Sequence, residues 1–193
     1  MFTNRHIFIV FLSIVAAGIL LFAVVSGGYY PIGMVDRTFI MSRQFRKDYR
    51  AISLSYWNTV KLYQPESGNE QAMPKSTDVQ AAVLDRLIET ILVRAAIKDE
   101  LGDDFDRLLA NKVDKFDGDA ELQAKSLALY GLAFSDIKQE ILVPQAEQDL
   151  LSGRLFMRGE TLETWLLEAK KKSTVRIFSK TFHWEDGKVK IHE

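Results

Sequence analysis

Cysteine is absent from this chain of 193 residues, and histidine is scarce, with only His6, His183 and His192. The absence of cysteine excludes thiol catalysis, disulfide bonds and zinc–thiolate sites, and three scattered histidines argue against a histidine-rich metal site. A basic excess is also missing, since 25 Lys and Arg stand against 26 Asp and Glu, so nucleic acid is not expected as a partner. Glycine-rich phosphate loops, nucleophile elbows and HExxH motifs do not occur. The sequence therefore predicts a protein that is not an enzyme and holds neither cofactor nor metal.

One acidic segment, DKFDGDAE at residues 114–121, has the composition of a calcium-binding loop. In an EF-hand the glycine stands at position 6, which would put Val113 at position 1, where a carboxylate is needed. The register therefore fails, and a solvated turn between helices is the better interpretation.

A long apolar run, IFIVFLSIVAAGILLFAVV at residues 7–25, contains neither a charge nor a proline. As a helix it would extend about 28 Å, close to the thickness of the bilayer hydrocarbon. A buried core helix is the weakest interpretation, because a domain of this size rarely surrounds a helix that is apolar on every side. A cleaved signal peptide is the alternative, with small residues at Ser26 and Gly27, but its apolar region is usually about 7 to 15 residues long. Length favours an uncleaved single-pass anchor.

The domain organisation follows from this run. Residues 1–28 form the anchor or signal peptide, and residues 29–193 form one domain large enough to hold a core. Arg5 is the only charged side chain before Asp36, and this balance mildly favours a cytoplasmic N-terminus and an extracytoplasmic body at the cell membrane. If the apolar run is cleaved, the body is secreted or periplasmic instead.

The body reads as mainly helical, with short β segments near its two ends. Apolar residues recur at steps of three and four along residues 42–63, and a polar loop with two prolines follows at 64–78, where Ser76, Thr77 and Asp78 are candidate helix caps. Further helices are expected at 103–116, 117–131, 134–156 and 160–172. Gly131 should end the second of these. In the third, Ser135 is a candidate cap, Pro144 should interrupt the helix and Gly153 should weaken its end. A strand at 173–178 and a hairpin around Asp186-Gly187 complete the pattern.

The helix at residues 83–102 has an unusually broad apolar face. It carries two adjacent stripes: Val83, Leu87, Ile91 and Ala95, and Leu84, Ile88, Leu92 and Ala96. Most of this face is expected to be core, packed on the 42–63 helix and on Ile137, Ile141, Leu142 and Leu150.

Four segments in this order carry a resemblance to a known family. They are VDRTFIMSRQFRKDY, VLDRLIETILVRAAIKDELG, LALYGLAFSDIKQEILVPQAEQDLL and ETLETWLLEAKKKSTVRIF. Together they span about residues 34–178 and are similar to the SurA N-terminal-domain module of SurA/PrsA-type foldases, which are exported chaperones. The resemblance implies a helical chaperone domain. In that family a parvulin-type prolyl isomerase domain usually precedes the closing segment, whereas here LLSGRLFMRGETLETW leaves no room for one. The activity implied is therefore binding without isomerase catalysis.

The resulting expectation is a membrane-anchored extracytoplasmic chaperone or holdase whose partners are unfolded or exported polypeptides and, through residues 7–25, the membrane. The alternative is a membrane-tethered docking or assembly subunit for one fixed protein partner. Client-binding residues should be apolar side chains that lie off the core stripes: Leu54, Trp57, Phe134, Phe156 and Met157. The competing interpretation is that these five side chains only complete the core.

Overall fold

The computed structural model describes residues 4–63 and 74–192, and it describes the surroundings of the side chains at 11–58, 74–128 and 131–192. Residues 64–73, most of the expected loop, lie outside the described residues. The helices are α1 (Asn4–Ser26), α2 (Ser42–Tyr63), α3 (Ser76–Leu101), α4 (Phe105–Val113), α5 (Ala120–Tyr130), α6 (Phe134–Ile137), α7 (Val143–Met157) and α8 (Leu162–Lys172). The strands are β1 (Pro31–Val35), β2 (Thr38–Met41), β3 (Val175–Ile177), β4 (Phe182–Glu185) and β5 (Lys188–Ile191). The predicted mainly helical body with short strands is confirmed.

The two ends of the body meet in one sheet. Strands β2, β1 and β3 lie side by side in that order, all antiparallel, with Gly33 paired to Ile177. The turn between β1 and β2 is fastened to the tail, because the backbone N–H of Asp36 donates to the Thr174 carbonyl and the Asp36 carboxylate accepts from the Thr174 N–H, each at 2.8 Å. These bonds hold Asp36 in a left-handed conformation with a φ of 51°. The body is thus closed on itself by its own C-terminal segment.

The second sheet is the hairpin predicted around Asp186-Gly187. Glu185 pairs with Lys188 across a two-residue turn, and both turn residues have positive φ, as a type I′ turn requires. Phe182 and Val189 turn inward from this hairpin into the main core. The hairpin therefore covers one side of α3.

Helix α3 runs through the centre of the core. Its buried residues are Val83, Leu84, Leu87, Ile88, Leu92, Val93 and Ile97. The first five pack with Val35, Ile40 and the β4–β5 hairpin, whereas Val93 and Ile97 pack with Phe105, Leu151 and Leu155. The predicted stripes are confirmed except at Ala95, which is exposed. Leu92 is buried, and Ile91 and Ala96 are half-buried and pack against the core. The buried face shifts because the neighbour of α3 changes from the strands to α7.

Other sequence-based details are corrected by the fold. The expected packing of Leu150 near α3 is confirmed, but Ile137, Ile141 and Leu142 pack with Ala51 of α2 and with Leu132. Gly131 ends α5 in a left-handed conformation, as predicted. The predicted caps are wrong: α3 starts after Lys75 and α6 after Ala133, and neither start has a side-chain cap.

Helix α7 also departs from expectation at its end. Gly153 lies inside α7, which continues to Met157. The reason is that Leu151 and Leu155, on either side of the glycine, are both buried in the core. Tertiary packing thus outweighs the local helix-weakening effect of glycine.

Helix α1 precedes the body, and every residue from 11 to 26 is exposed, including Phe11, Ile14 and Phe22. The turn that follows α1 is fixed to the start of α2, where the Arg43 N–H donates to the Gly28 carbonyl at 2.9 Å. Within the residues that the structure describes, none of the helices has the length and apolarity needed to cross a membrane. The span at residues 7–25 remains a prediction from the sequence.

Candidate functional site

The five predicted client-binding residues fall into two separate places. Leu54 and Phe134 are half-buried and Trp57 is 43% exposed, near the junction of α2 with the α5–α6 turn, where an added Cβ at Gly131 would lie 2.6 Å from Leu54 Cδ2. Phe156 and Met157 are 80% and 82% exposed at the end of α7. The turn before them packs on Ile97 and Phe105, at the far end of α3. The five therefore do not form one surface.

The sequence did not reveal a pocket between α2, α3 and the segment after α5, which we call the α2–α6 pocket. Its volume is about 290 Å³. Its apolar wall consists of Ala51, Ile52, Leu132 and Ile141, with Ser55 and Tyr56 beside them, and its charged wall consists of Asp48, Arg86 and Glu140. Such a combination, an apolar recess with a few converging polar groups, is the usual character of a ligand site.

Pro144 accounts for the local backbone at this pocket. Proline has no N–H, so the carbonyl four residues earlier, that of Glu140, loses its helical donor, and the ring also crowds that carbonyl. The chain adopts a π-helical turn at Lys138–Leu142 just before Pro144, so the predicted division of the helix is confirmed. Arg86 Nη2 donates to the orphaned Glu140 carbonyl at 3.0 Å. The interruption thus brings the Arg86 guanidinium into the pocket wall.

Lys47 of α2 forms ion pairs beside the charged wall of the pocket. Lys47 Nζ lies 2.8 Å from Asp136 Oδ1 and 3.4 Å from Glu140 Oε1. Lys47 and Asp48 are adjacent on α2, and Asp48 is only 5% exposed. Five ionisable groups from α2, α3, α6 and the π-helical turn that follows α6 therefore lie in or beside this pocket wall.

The buried carboxyl of Asp48 is the unusual group among them. Its pKa is raised to about 7, chiefly by burial and also by the nearby Glu140 carboxylate, while Arg86 and Lys47 act in the opposite direction. Asp48 is therefore able to hold or release a proton near neutral pH. A strongly shifted group in a recess is a mark of a functional site.

A second recess, which we call the α3 groove, lies on the outer face of α3. It has a volume of about 580 Å³ and is lined by Thr38, Phe39, Gln44, Thr90, Ile91, Arg94, Ala95, Lys98 and Asp99. Phe39 is 54% exposed at its edge. Of the two stripe residues that line the groove, Ala95 is exposed, contrary to the prediction, whereas Ile91 is half-buried and packs against the core as predicted.

Metal binding finds no support in the described part of the chain, where no group of three or more His, Asp or Glu side chains is placed to hold an ion. The acidic turn at 114–121 is engaged by Lys138, whose Nζ lies 2.9 Å from Asp114 Oδ1 and 2.7 Å from Asp117 Oδ1. These carboxylates thus serve an ion-pair network between helices.

Comparisons with protein-family models, with curated proteins and with solved structures found no match for this chain.

Proposed function

We propose that this protein is a membrane-tethered extracytoplasmic chaperone of the holdase type, which binds unfolded or exported polypeptides without catalysing prolyl isomerisation. The observation that carries the proposal is the amount of large apolar surface left uncovered on a body that otherwise has a closed core. Phe39, Trp57, Phe156 and Met157 are all exposed, at three separate places. Contiguous exposed apolar side chains on a soluble protein often mark a binding surface, and Phe156 and Met157 are adjacent in the chain.

The form of these surfaces favours weak and unspecific binding. Phe156 and Met157 stand on one helix end, and the α3 groove and the α2–α6 pocket are open recesses of moderate size. Met and aromatic side chains adapt to many apolar partners. Several small sites along one body suit an extended chain that touches each of them in turn.

The tether is proposed from the apolar run together with the exposure of residues 11–26 of α1. An exposed helix that is apolar on all sides needs lipid or another protein around it. Holding the body at a membrane would raise its concentration near emerging clients, which compensates for weak affinity at each site. Arg5 before the run supports a cytoplasmic N-terminus and an extracytoplasmic body.

Removing the apolar side chains at the end of α7 should weaken client protection. We expect the double variant Phe156→Ser/Met157→Ser, in the full chain held in lipid nanodiscs, to need about three times more protein to slow the aggregation of an unfolded client. Each side chain buries little in the body, so the free energy of unfolding should change by less than about 0.5 kcal/mol. Light scattering of the client and urea unfolding of the chain measure the two effects.

The matched control is Leu167→Ser, which removes a half-exposed leucine from α8 and should leave client protection unchanged. Failure of the unmodified chain to slow aggregation at stoichiometric ratios would refute the proposed function.

A further inference from the structure

The charged groups around the α2–α6 pocket do not balance. Asp48, Asp136 and Glu140 supply three carboxylates, while Lys47 from α2 and Arg86 from α3 supply two cations. Asp136 is held by Lys47 at 2.8 Å, and Arg86 is partly committed to a backbone carbonyl. With every group ionised, the cluster carries one negative charge too many.

This excess charge is located at the pocket. Asp48 and Glu140 both line the cavity, and two carboxyls that share one recess favour holding a proton, because two neighbouring negative charges repel each other. The raised pKa of Asp48 expresses the same demand. A cation entering the pocket could take the place of that proton and restore the balance.

The remainder of the cavity specifies what should carry the cation. Its volume of about 290 Å³ lies just under the range of about 300 to 1,000 Å³ that is usual for small-molecule sites, so one side chain fits it better than a cofactor. The apolar wall of Ala51, Ile52, Leu132 and Ile141 suits a methylene stem. An ammonium is compact and acts as a point charge, whereas a planar guanidinium needs two aligned acceptors and more room.

We propose that the α2–α6 pocket receives a lysine side chain of the bound client, with its stem along Ile52 and Ile141 and its ammonium between Asp48 and Glu140. This inference rests on the proposed function and adds a selectivity to it. Clients with a lysine among apolar residues would be held more tightly than clients that are apolar alone. Lysine binding would also displace a proton, so the preference should grow with pH.

The test uses three peptides that differ only at one central position between phenylalanines, which is lysine, norleucine or glutamate. Calorimetry with the full chain in nanodiscs should show the lysine peptide binding about tenfold more tightly than the norleucine peptide at pH 8, and less than about threefold more tightly at pH 6. The glutamate peptide should bind most weakly. Proton release, seen by repeating the titration in buffers of different ionisation enthalpy, should accompany lysine binding alone.

The decisive variant is Asp48→Asn, which keeps the size of the side chain and removes its charge. It should abolish both the lysine preference and its dependence on pH, while the matched variant Asp103→Asn, at an exposed position, should change neither. Equal affinity for lysine and norleucine in the unmodified chain, or a lysine preference that survives Asp48→Asn, would overturn the inference and leave the proposed function standing. No binding of any peptide, together with no protection of an unfolded client, would refute both.

Discussion

Replacing Arg94 with methionine should destabilise the protein by about 3 to 5 kcal/mol at pH 8, since it leaves a buried carboxylate without its partner. Glu147 is fully buried on α7, and Arg94 Nε donates to its Oε1 at 2.7 Å. Its Oε2 is buried without a hydrogen-bond partner among the described residues. Burial already raises the pKa of Glu147, and Arg94 is the group that opposes this rise. Urea unfolding, followed by tryptophan fluorescence, measures the loss.

The loss should depend on pH in a defined direction. Without Arg94 the folded-state pKa of Glu147 rises further, so the folded state binds a proton more tightly than the unfolded state. The loss of unfolding free energy should therefore be smallest near pH 4. It should grow as the pH rises from the folded-state pKa of Glu147 in the unmodified chain to the higher pKa in the variant, and level off above that.

Two further variants separate this mechanism from a loss of packing. Removing both charges in Arg94→Met/Glu147→Leu should restore most of the stability, because an apolar pair of similar size can replace a buried ion pair. Arg107→Met breaks only the exposed pair with Asp104 and should cost less than about 1 kcal/mol. If Arg94→Met were as mild as Arg107→Met, Glu147 would have to be accessible to water, contrary to the structure.

The Asp48→Asn variant should have the next largest effect after Arg94→Met, on how the free energy of unfolding depends on pH. In the folded state the pKa of Asp48 is raised from 3.8 to about 7, so between these values the folded state holds a proton that the unfolded state has lost. The free energy of unfolding therefore falls as the pH rises through this window and levels off above it. The asparagine variant has no such group to titrate. Its free energy of unfolding, relative to that of the unmodified chain, should therefore increase by on the order of 2 to 4 kcal/mol between pH 4 and pH 8.

Urea unfolding at a series of pH values measures this difference. Asp103→Asn is the control, since an exposed carboxyl should give a curve parallel to that of the unmodified chain. Parallel curves for Asp48→Asn would show that Asp48 ionises normally in the folded protein.

Elements that depend on local sequence were predicted well. Apolar periodicity predicted α2 and α3, and the Asp186-Gly187 pair predicted the β4–β5 hairpin. Pro144 predicted the interruption of the helix before α7. Each depends on neighbouring residues or on the conformation of one residue type. The closure of the body by β3 pairing with β1 agrees with β segments at the two ends, although the sequence alone did not specify the register.

The candidate site was predicted poorly because it arises from tertiary contacts. Asp48 lies three residues after Phe45 and four before Ile52, so its place on an apolar helix face was a signal of burial. That Arg86 satisfies the carbonyl freed by Pro144 follows only from the packing of α3 on the π-helical turn. The residues chosen for lying off the core stripes include exposed ones, Phe156 and Met157, but the choice could not show that they lie apart from Leu54 and Trp57.

The central claim is that the open recesses of this body hold unfolded polypeptides. A photoreactive benzoylphenylalanine in place of Tyr56, at the exposed side of the α2–α6 pocket, tests it in cell membranes, with the same group at Leu167 on α8 as control. We predict a broad distribution of crosslinked products from position 56 that increases when unfolded exported proteins accumulate, and few products from position 167. One dominant product would favour a docking subunit for a fixed partner, and equal labelling from both positions would contradict a client site at this pocket.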